Sequence, residues 1–251
     1  MKSRKPLIAG NWKMNNSLEE ARSLTLAIRE GLATDRSADV LLCVPALYLM
    51  EISRLAGPGI PVAAQNCSSY ASGAYTGEIS AGQLASAGIG HCILGHSERR
   101  EYFGETAEIL KTKTDRCLEA GITPVFCVGE PKEVREAGRQ EEWVGRQTEA
   151  SLFHLPAREI GKLILAYEPI WAIGTGLTAS AAQAQEMHVF IRSMIASRYG
   201  SETAAAVRIL YGGSVKASNA GELFAMPDID GGLVGGASLV ASEFLGIVAC
   251  A

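Results

Sequence analysis

Eight short runs of aliphatic and β-branched residues recur along the chain, at Leu7–Asn11, Val40–Val44, Pro61–Asn66, His91–Gly95, Thr123–Val128, Leu163–Glu168, Val207–Tyr211 and Gly232–Gly235. The segments between them carry helical periodicity instead, as in Leu18–Ala33 and Ser180–Gly200. In the second of these, Met187, Phe190, Ile191, Met194 and Ile195 recur at spacings of three and four and draw one apolar stripe down a helix. Strand alternating with helix implies parallel pairing, because each crossover returns the chain to the same edge. Eight such units in 251 residues match the size and count of an α/β protein built as a closed (β/α)8 TIM barrel. A doubly wound open sheet would need a GxGxxG turn after its first strand, and GNWKMN at 10–15 does not supply one. No linker, low-complexity tract or shift of composition divides the chain, so residues 1–251 are expected to form one barrel domain.

Such barrels carry their active sites at the C-terminal ends of the strands. The first run ends in Asn11 and Lys13, the fourth in Gly-His-Ser-Glu with His96 and Glu98, and the sixth in Glu168. Barrel closure would turn these exits into one mouth, bringing a cation, an imidazole and a carboxylate together as an acid–base constellation. The seventh and eighth runs end in Gly212-Gly213-Ser214 and Gly235-Gly236-Ala237-Ser238. Each precedes a helix-like segment, so backbone N–H groups at both exits can face one anion. The second and fifth exits, Pro45 and Gly129-Glu130, read as structural. Taken singly, Lys13 could be a solvated surface lysine, His96 a hydrogen-bonded core histidine like His91 and His188, and Glu168 an ion-pair partner for an arginine. Their joint placement beside two glycine-rich exits favours the chemical reading.

Composition narrows the field. A net charge of −4 and 47% hydrophobic residues describe an ordinary globular chain with no basic surface for nucleic acid or an anionic membrane. The apolar stretch near the N-terminus ends after Ala9, too short for a secretory signal, and no run reaches the ~18 residues of a membrane span. The six cysteines form no CxxC pair, and Cys43, Cys92 and Cys127 fall inside apolar runs, which suits small core hydrophobes rather than disulfides or metal ligands. A reducing cytoplasm is expected. Cys127, at the end of the fifth run, is the thiol to test first for sensitivity to oxidation.

Six stretches, AGNWKMN (9–15), ILGHSERR (93–100), CVGE (127–130), AYEPIWAIGTG (166–176), YGGSV (211–215) and LVGGASL (233–239), carry a resemblance to the triosephosphate isomerase family, in the family's order and over nearly the whole chain. The resemblance implies cofactor- and metal-free interconversion of dihydroxyacetone phosphate and D-glyceraldehyde 3-phosphate through an enediolate, in glycolysis and gluconeogenesis. It makes Glu168 the base and His96 a neutral electrophile at a helix start. It gives Lys13 the positive field, Asn11 a polar contact, and Glu98 an accessory role near the lysine. It places the phosphate on Gly174, Ser214, Gly235 and Gly236, and makes residues 169–178 a lid, with Pro169, Ile173, Gly174 and Gly176 in it and Leu233 opposite. Leu177 departs from the lysine common there, which should alter opening and closing before it alters activity. Ser68–Glu78 resembles a loop that reaches into a partner subunit, placing Thr76 near the partner's active site in a homodimer. The alternatives are another phosphate-binding barrel enzyme, such as an aldolase with Lys13 as Schiff-base lysine, or an inactive barrel that senses phosphometabolites.

Overall fold

A computed structural model describes residues 4–173 and 178–251. Eight parallel strands close into a barrel in sequence order: β1 Leu7–Asn11, β2 Asp39–Val44, β3 Val62–Ala64, β4 His91–Leu94, β5 Thr123–Val128, β6 Ile164–Tyr167, β7 Arg208–Tyr211 and β8 Gly231–Val234. The last strand pairs with the first, Gly10 lying opposite Val234. All eight expected runs are strands, within one or two residues at most ends. The largest difference is β3, three residues long where six were expected, so that Gln65 and Asn66 belong to its exit.

Side chains alternate between two cores, as a strand's period of two requires. Leu7, Ala9, Leu41, Cys43, Ala63, Ile93, Val125, Cys127, Ile164, Ala166, Leu210 and Leu233 fill the barrel interior. Their neighbours, among them Ile8, Leu42, Phe126, Leu165 and Ile209, pack outward against the helices. With both faces covered, the strands read as continuous apolar runs rather than alternating ones.

The helices start where side chains can serve their free N–H groups. Ser17 with Glu20, Ser80 with Gln83 and Ser180 with Gln183 form reciprocal capping boxes at helices Leu18–Gly31, Ala81–Ser86 and Ala181–Tyr199. The last ends at Gly200, whose φ of 90° suits glycine. Of the stripe expected there, Met187, Ile191 and Ile195 are fully buried, while Phe190 and Met194 are half-buried at its edge. Among the described residues no helix is long and apolar enough to cross a membrane.

The cysteines correct one expectation. Cys127 points into the barrel interior, has no exposure, and burial pushes its thiol well above the ordinary value. A thiol so placed is inert toward oxidants, which react with the thiolate. Cys250 is the exposed cysteine of the six.

Candidate active site

The strand exits converge on a cavity of about 340 Å³ at the C-terminal mouth of the barrel, lined by Asn11, Lys13, His96, Glu168, Ile173 and Leu233. Gly212, Gly213, Ser214, Gly235 and Gly236 line it too. Every described residue expected in the chemistry or the phosphate cradle borders it except Glu98, which stands one layer back beside Lys13. Gly174 and Gly176, and with them Leu177, lie outside the described residues.

Glu168 follows β6 directly and is 2% exposed, so its charge must be met by neighbours. Oε2 accepts a hydrogen bond from the backbone N–H of Ser97 at 2.9 Å, and Oε1 lies 3.0 Å from Nε2 of His96. Burial pushes the carboxyl's pKa up, but the charge and hydrogen bond of His96, the Ser97 N–H and the charge of Lys13 outweigh it, leaving the pKa below the ordinary value. No arginine is needed to hold it.

His96 is the N-cap of helix Ser97–Tyr102, and its Nδ1 accepts from the Glu98 N–H at 3.3 Å. That leaves the proton on Nε2, which donates to Glu168. The neutral imidazole expected from the helix start meets an opposing influence in this arrangement. Burial lowers the His96 pKa, yet the charge and hydrogen bond of Glu168, with the charge of Glu98, raise it above the ordinary value. Glu98 Oε2 is 3.6 Å from Nδ1, too far for a hydrogen bond, so it acts there through charge alone.

Lys13 has a φ of 51°, in the left-handed region that a residue with a side chain seldom occupies. Two hydrogen bonds hold it: Asn11 Oδ1 accepts from the Lys13 N–H at 3.0 Å, and Gln65 Nε2 donates to the Lys13 carbonyl at 3.0 Å. The same Gln65 amide donates to the Cys43 carbonyl at 3.0 Å, tying the lysine's peptide to the end of β2. Nζ pairs with Glu98 Oε1 at 2.5 Å. Strain of this kind costs on the order of 1–3 kcal/mol and persists only where surrounding contacts enforce it.

The glycines divide by what surrounds them. A Cβ on Gly129 would lie 1.8 Å from the carbonyl oxygen of Glu168, and one on Gly212 would lie 2.9 Å from Glu168 Cγ. One on Gly213 would meet the Tyr211 hydroxyl at 2.2 Å and Pro169 at 3.0 Å. These three leave room for the acid and the start of the segment after it. Gly236 faces open space and Gly235 only the Lys13 stem at 3.7 Å, so the β8 exit is the open face of the cradle.

The fifth exit, expected to be structural, anchors the chain beyond Glu168. Glu130 has no exposure, and its Oε1 accepts from the Tyr167 hydroxyl and from Trp171 Nε1, each at 2.9 Å. The Glu130 carbonyl also accepts from the Ile170 N–H at 3.2 Å. Pro169 and the turn Ile170–Ala172 are thereby pinned from both sides. Ser97, Gln65 and Glu130 are the site residues that sequence reasoning missed. Ser97 lies inside the GHSE exit and Gln65 just past an apolar run, but their parts depend on partners distant in sequence.

The fold and site together define a barrel enzyme in which a buried carboxylate and an imidazole face a cation and an open anion cradle. The comparisons make this specific: the chain belongs to the triosephosphate isomerase family, whose sequence profile matches residues 6–251. It is 54% identical over 247 residues to the triosephosphate isomerase of Bacteroides fragilis, covering 98% of both chains. Identity is 53% to that of Phocaeicola vulgatus, again covering 98% of each, and 51% to that of Herminiimonas arsenicoxydans, covering 99% of this chain and 100% of the relative.

The hydrogen bond from Ser97 can be removed with little disturbance of the backbone. Ser97 is the first residue of its helix, where proline is tolerated, and His96 has the φ of −51° and ψ of 141° that a residue before proline adopts. Ser97→Pro deletes the N–H that holds the Glu168 pKa down, so that pKa should rise. A carboxylate base works above its pKa, so the acid limb of kcat/KM against pH should move to higher pH. A pH–rate profile unchanged from wild type would contradict this account of the carboxylate.

Proposed function

We propose that the chain interconverts dihydroxyacetone phosphate and D-glyceraldehyde 3-phosphate by proton transfer through an enediolate, without cofactor or metal. The observation that carries the proposal is the pairing of Glu168 with His96 at 3.0 Å in a cavity that Ser214, Gly235 and Gly236 also line. The phosphate rests on those three residues. This places carbon 1 and carbon 2 over Glu168.

Substrate takes the place of the carboxylate's two partners. Freed from Ser97 and His96, Glu168 becomes a stronger base, removes a proton from one carbon and returns it to the other. Once the carboxylate has turned to the substrate, the main influence that raises the His96 pKa is gone, and burial, the helix N-terminus and the charge of Lys13 favour the neutral imidazole against the remaining charge of Glu98. Its Nε2–H then donates to the oxygen on which negative charge develops. Lys13 adds positive field and Asn11 a polar contact, while Glu98 fixes the ammonium. A preorganised donor of this kind contributes about 3–4 kcal/mol at the transition state. Ile173 and Leu233 give the cavity its apolar cover. Water is excluded, and the enediolate is held until it is reprotonated.

The aldolase reading finds no comparable support. Imine formation needs a free amine, whereas Lys13 is an ion pair with Glu98. The inactive-barrel reading would fit a chain lacking base or electrophile, and both stand in place.

Glu168→Asp tests the assignment in a coupled assay with glyceraldehyde 3-phosphate. Retracting the carboxylate by about one methylene should lower kcat on the order of 10²-fold with little change in KM. Wild-type turnover in this variant would contradict the role of Glu168.

The same reading extends to a homodimer through the Ser68–Glu78 loop. Tyr70 and Tyr75 stack within that loop with ring centroids 3.7 Å apart, and Thr76 is exposed near its tip. A second cavity of about 330 Å³ opens beside the first and shares Asn11, Lys13 and His96 with it, with Met14 and Phe103 on its rim. Met14 is 96% and Phe103 67% exposed, an apolar rim that a partner's loop would cover. Thr76 inserted there completes the surroundings of Asn11 and Lys13. Thr76→Arg should therefore yield a monomer in sedimentation with a marked fall in kcat. A variant that stays dimeric and fully active would refute the interface.

A further inference from the structure

Three cysteines that no sequence pattern connects are neighbours in space. Cys67 lies just beyond β3, Cys92 on β4, and Cys117 on the helix Ala107–Glu119, which packs on β4 and β5. Their sulfurs lie within 4.8 Å of one another, and those of Cys67 and Cys117 are 3.5 Å apart. All three are buried in the outer core, between the barrel wall and the helices, and Cys67 also borders the second cavity.

A second buried cluster adjoins the thiols and carries surplus charge. Lys113, one helical turn before Cys117, is 5% exposed, and its Nζ donates to Glu105 Oε1 at 2.6 Å and to Asn66 Oδ1 at 2.7 Å. Arg99 Nε also donates to that Glu105 oxygen, at 2.6 Å. Two cations thus share one carboxylate, leaving one positive charge over. The second Glu105 oxygen is buried and has no hydrogen-bond partner among the described residues. Lys113 is close enough for its charge to act on both Cys67 and Cys117.

We propose that Cys67, Cys92 and Cys117 form a three-thiolate binding site for a soft divalent metal ion of the zinc and cadmium class. Sulfurs bound at ~2.3 Å around one ion lie roughly 4 Å apart, which the present spacing reaches with small side-chain adjustments. Thiolate ligands select soft ions over magnesium or calcium, whose partners are oxygen. In binding, the divalent ion displaces three thiol protons to solvent and forms three metal–sulfur bonds, giving a complex of net charge −1. The surplus positive charge of Lys113 and Arg99 on Glu105 balances it. A monovalent ion would leave the pocket negative, a costly state in a buried place. Such an ion would fasten the start of the 68–78 loop, through Cys67, to the barrel and to the helix above it.

The test uses the full chain, kept reduced with a phosphine and titrated to equilibrium with cadmium or zinc. One cadmium per chain is expected, with the ultraviolet band of thiolate-to-metal charge transfer and a cadmium NMR shift in the sulfur-rich range. Cys92→Val and Cys117→Ala should each reduce metal affinity at least tenfold, and Cys250→Ala should leave it unchanged. Absence of the band in wild type, a cadmium shift typical of oxygen ligands, or binding that disappears only with Cys250→Ala would overturn the proposal. The wild-type spectrum decides the ligand set even if a core variant fails to fold.

Discussion

Glu168 is a carboxylate with almost no access to water at the end of an apolar strand, and its surroundings are arranged around that fact. An ionised group in such a place survives only with hydrogen bonds and opposite charge. The Ser97 N–H and the His96 imidazole, both from the exit of β4, and the field of Lys13 from the exit of β1 provide them. Only a closed barrel brings those exits within reach of one side chain. The glycines at 129 and 212 then follow, because a Cβ at either would press on Glu168 itself.

The interactions that make the charge tolerable also make it a weak base. In the free chain the carboxylate is held by two partners, and both must be given up for it to take a proton from carbon. On the proposed function, substrate binding supplies the exchange, since the oxyanion of the enediolate offers His96 a better acceptor. The imidazole's state changes with it: the carboxylate that raises its pKa moves away, and burial then holds it neutral. Lys13 needs no such change. Its left-handed backbone is fixed by Asn11 and Gln65, and its ammonium by Glu98, before any ligand arrives.

The barrel was legible in the sequence because strands buried on both faces leave continuous apolar runs, and because helix caps such as Ser180 with Gln183 are local patterns. The residues that gather at the mouth were legible for a related reason. A charge directly after an apolar run, as at Glu168, has few explanations in a parallel barrel other than the mouth. What stayed hidden depends on contacts between distant segments. Ser97 donates through its backbone, so its side chain gives no sign of the role. Glu130 reads as structural from its place at the fifth exit, but the partners it anchors, Tyr167 and Trp171, lie some forty residues away. The glycine pair at 212–213 suggested a phosphate cradle, but its closest neighbours are Glu168, Tyr211 and Pro169. Cys67, Cys92 and Cys117 come from a loop, a strand and a helix, so no spacing rule could unite them.

The central claim is that a single carboxylate, Glu168, carries a proton between two carbons of the substrate. Turnover of glyceraldehyde 3-phosphate in deuterated water measures this directly. The account predicts deuterium at carbon 1 of the dihydroxyacetone phosphate formed, introduced on one face only, and its loss together with activity in Glu168→Gln. Deuterium on both faces of carbon 1, or turnover and incorporation that persist in Glu168→Gln, would contradict it.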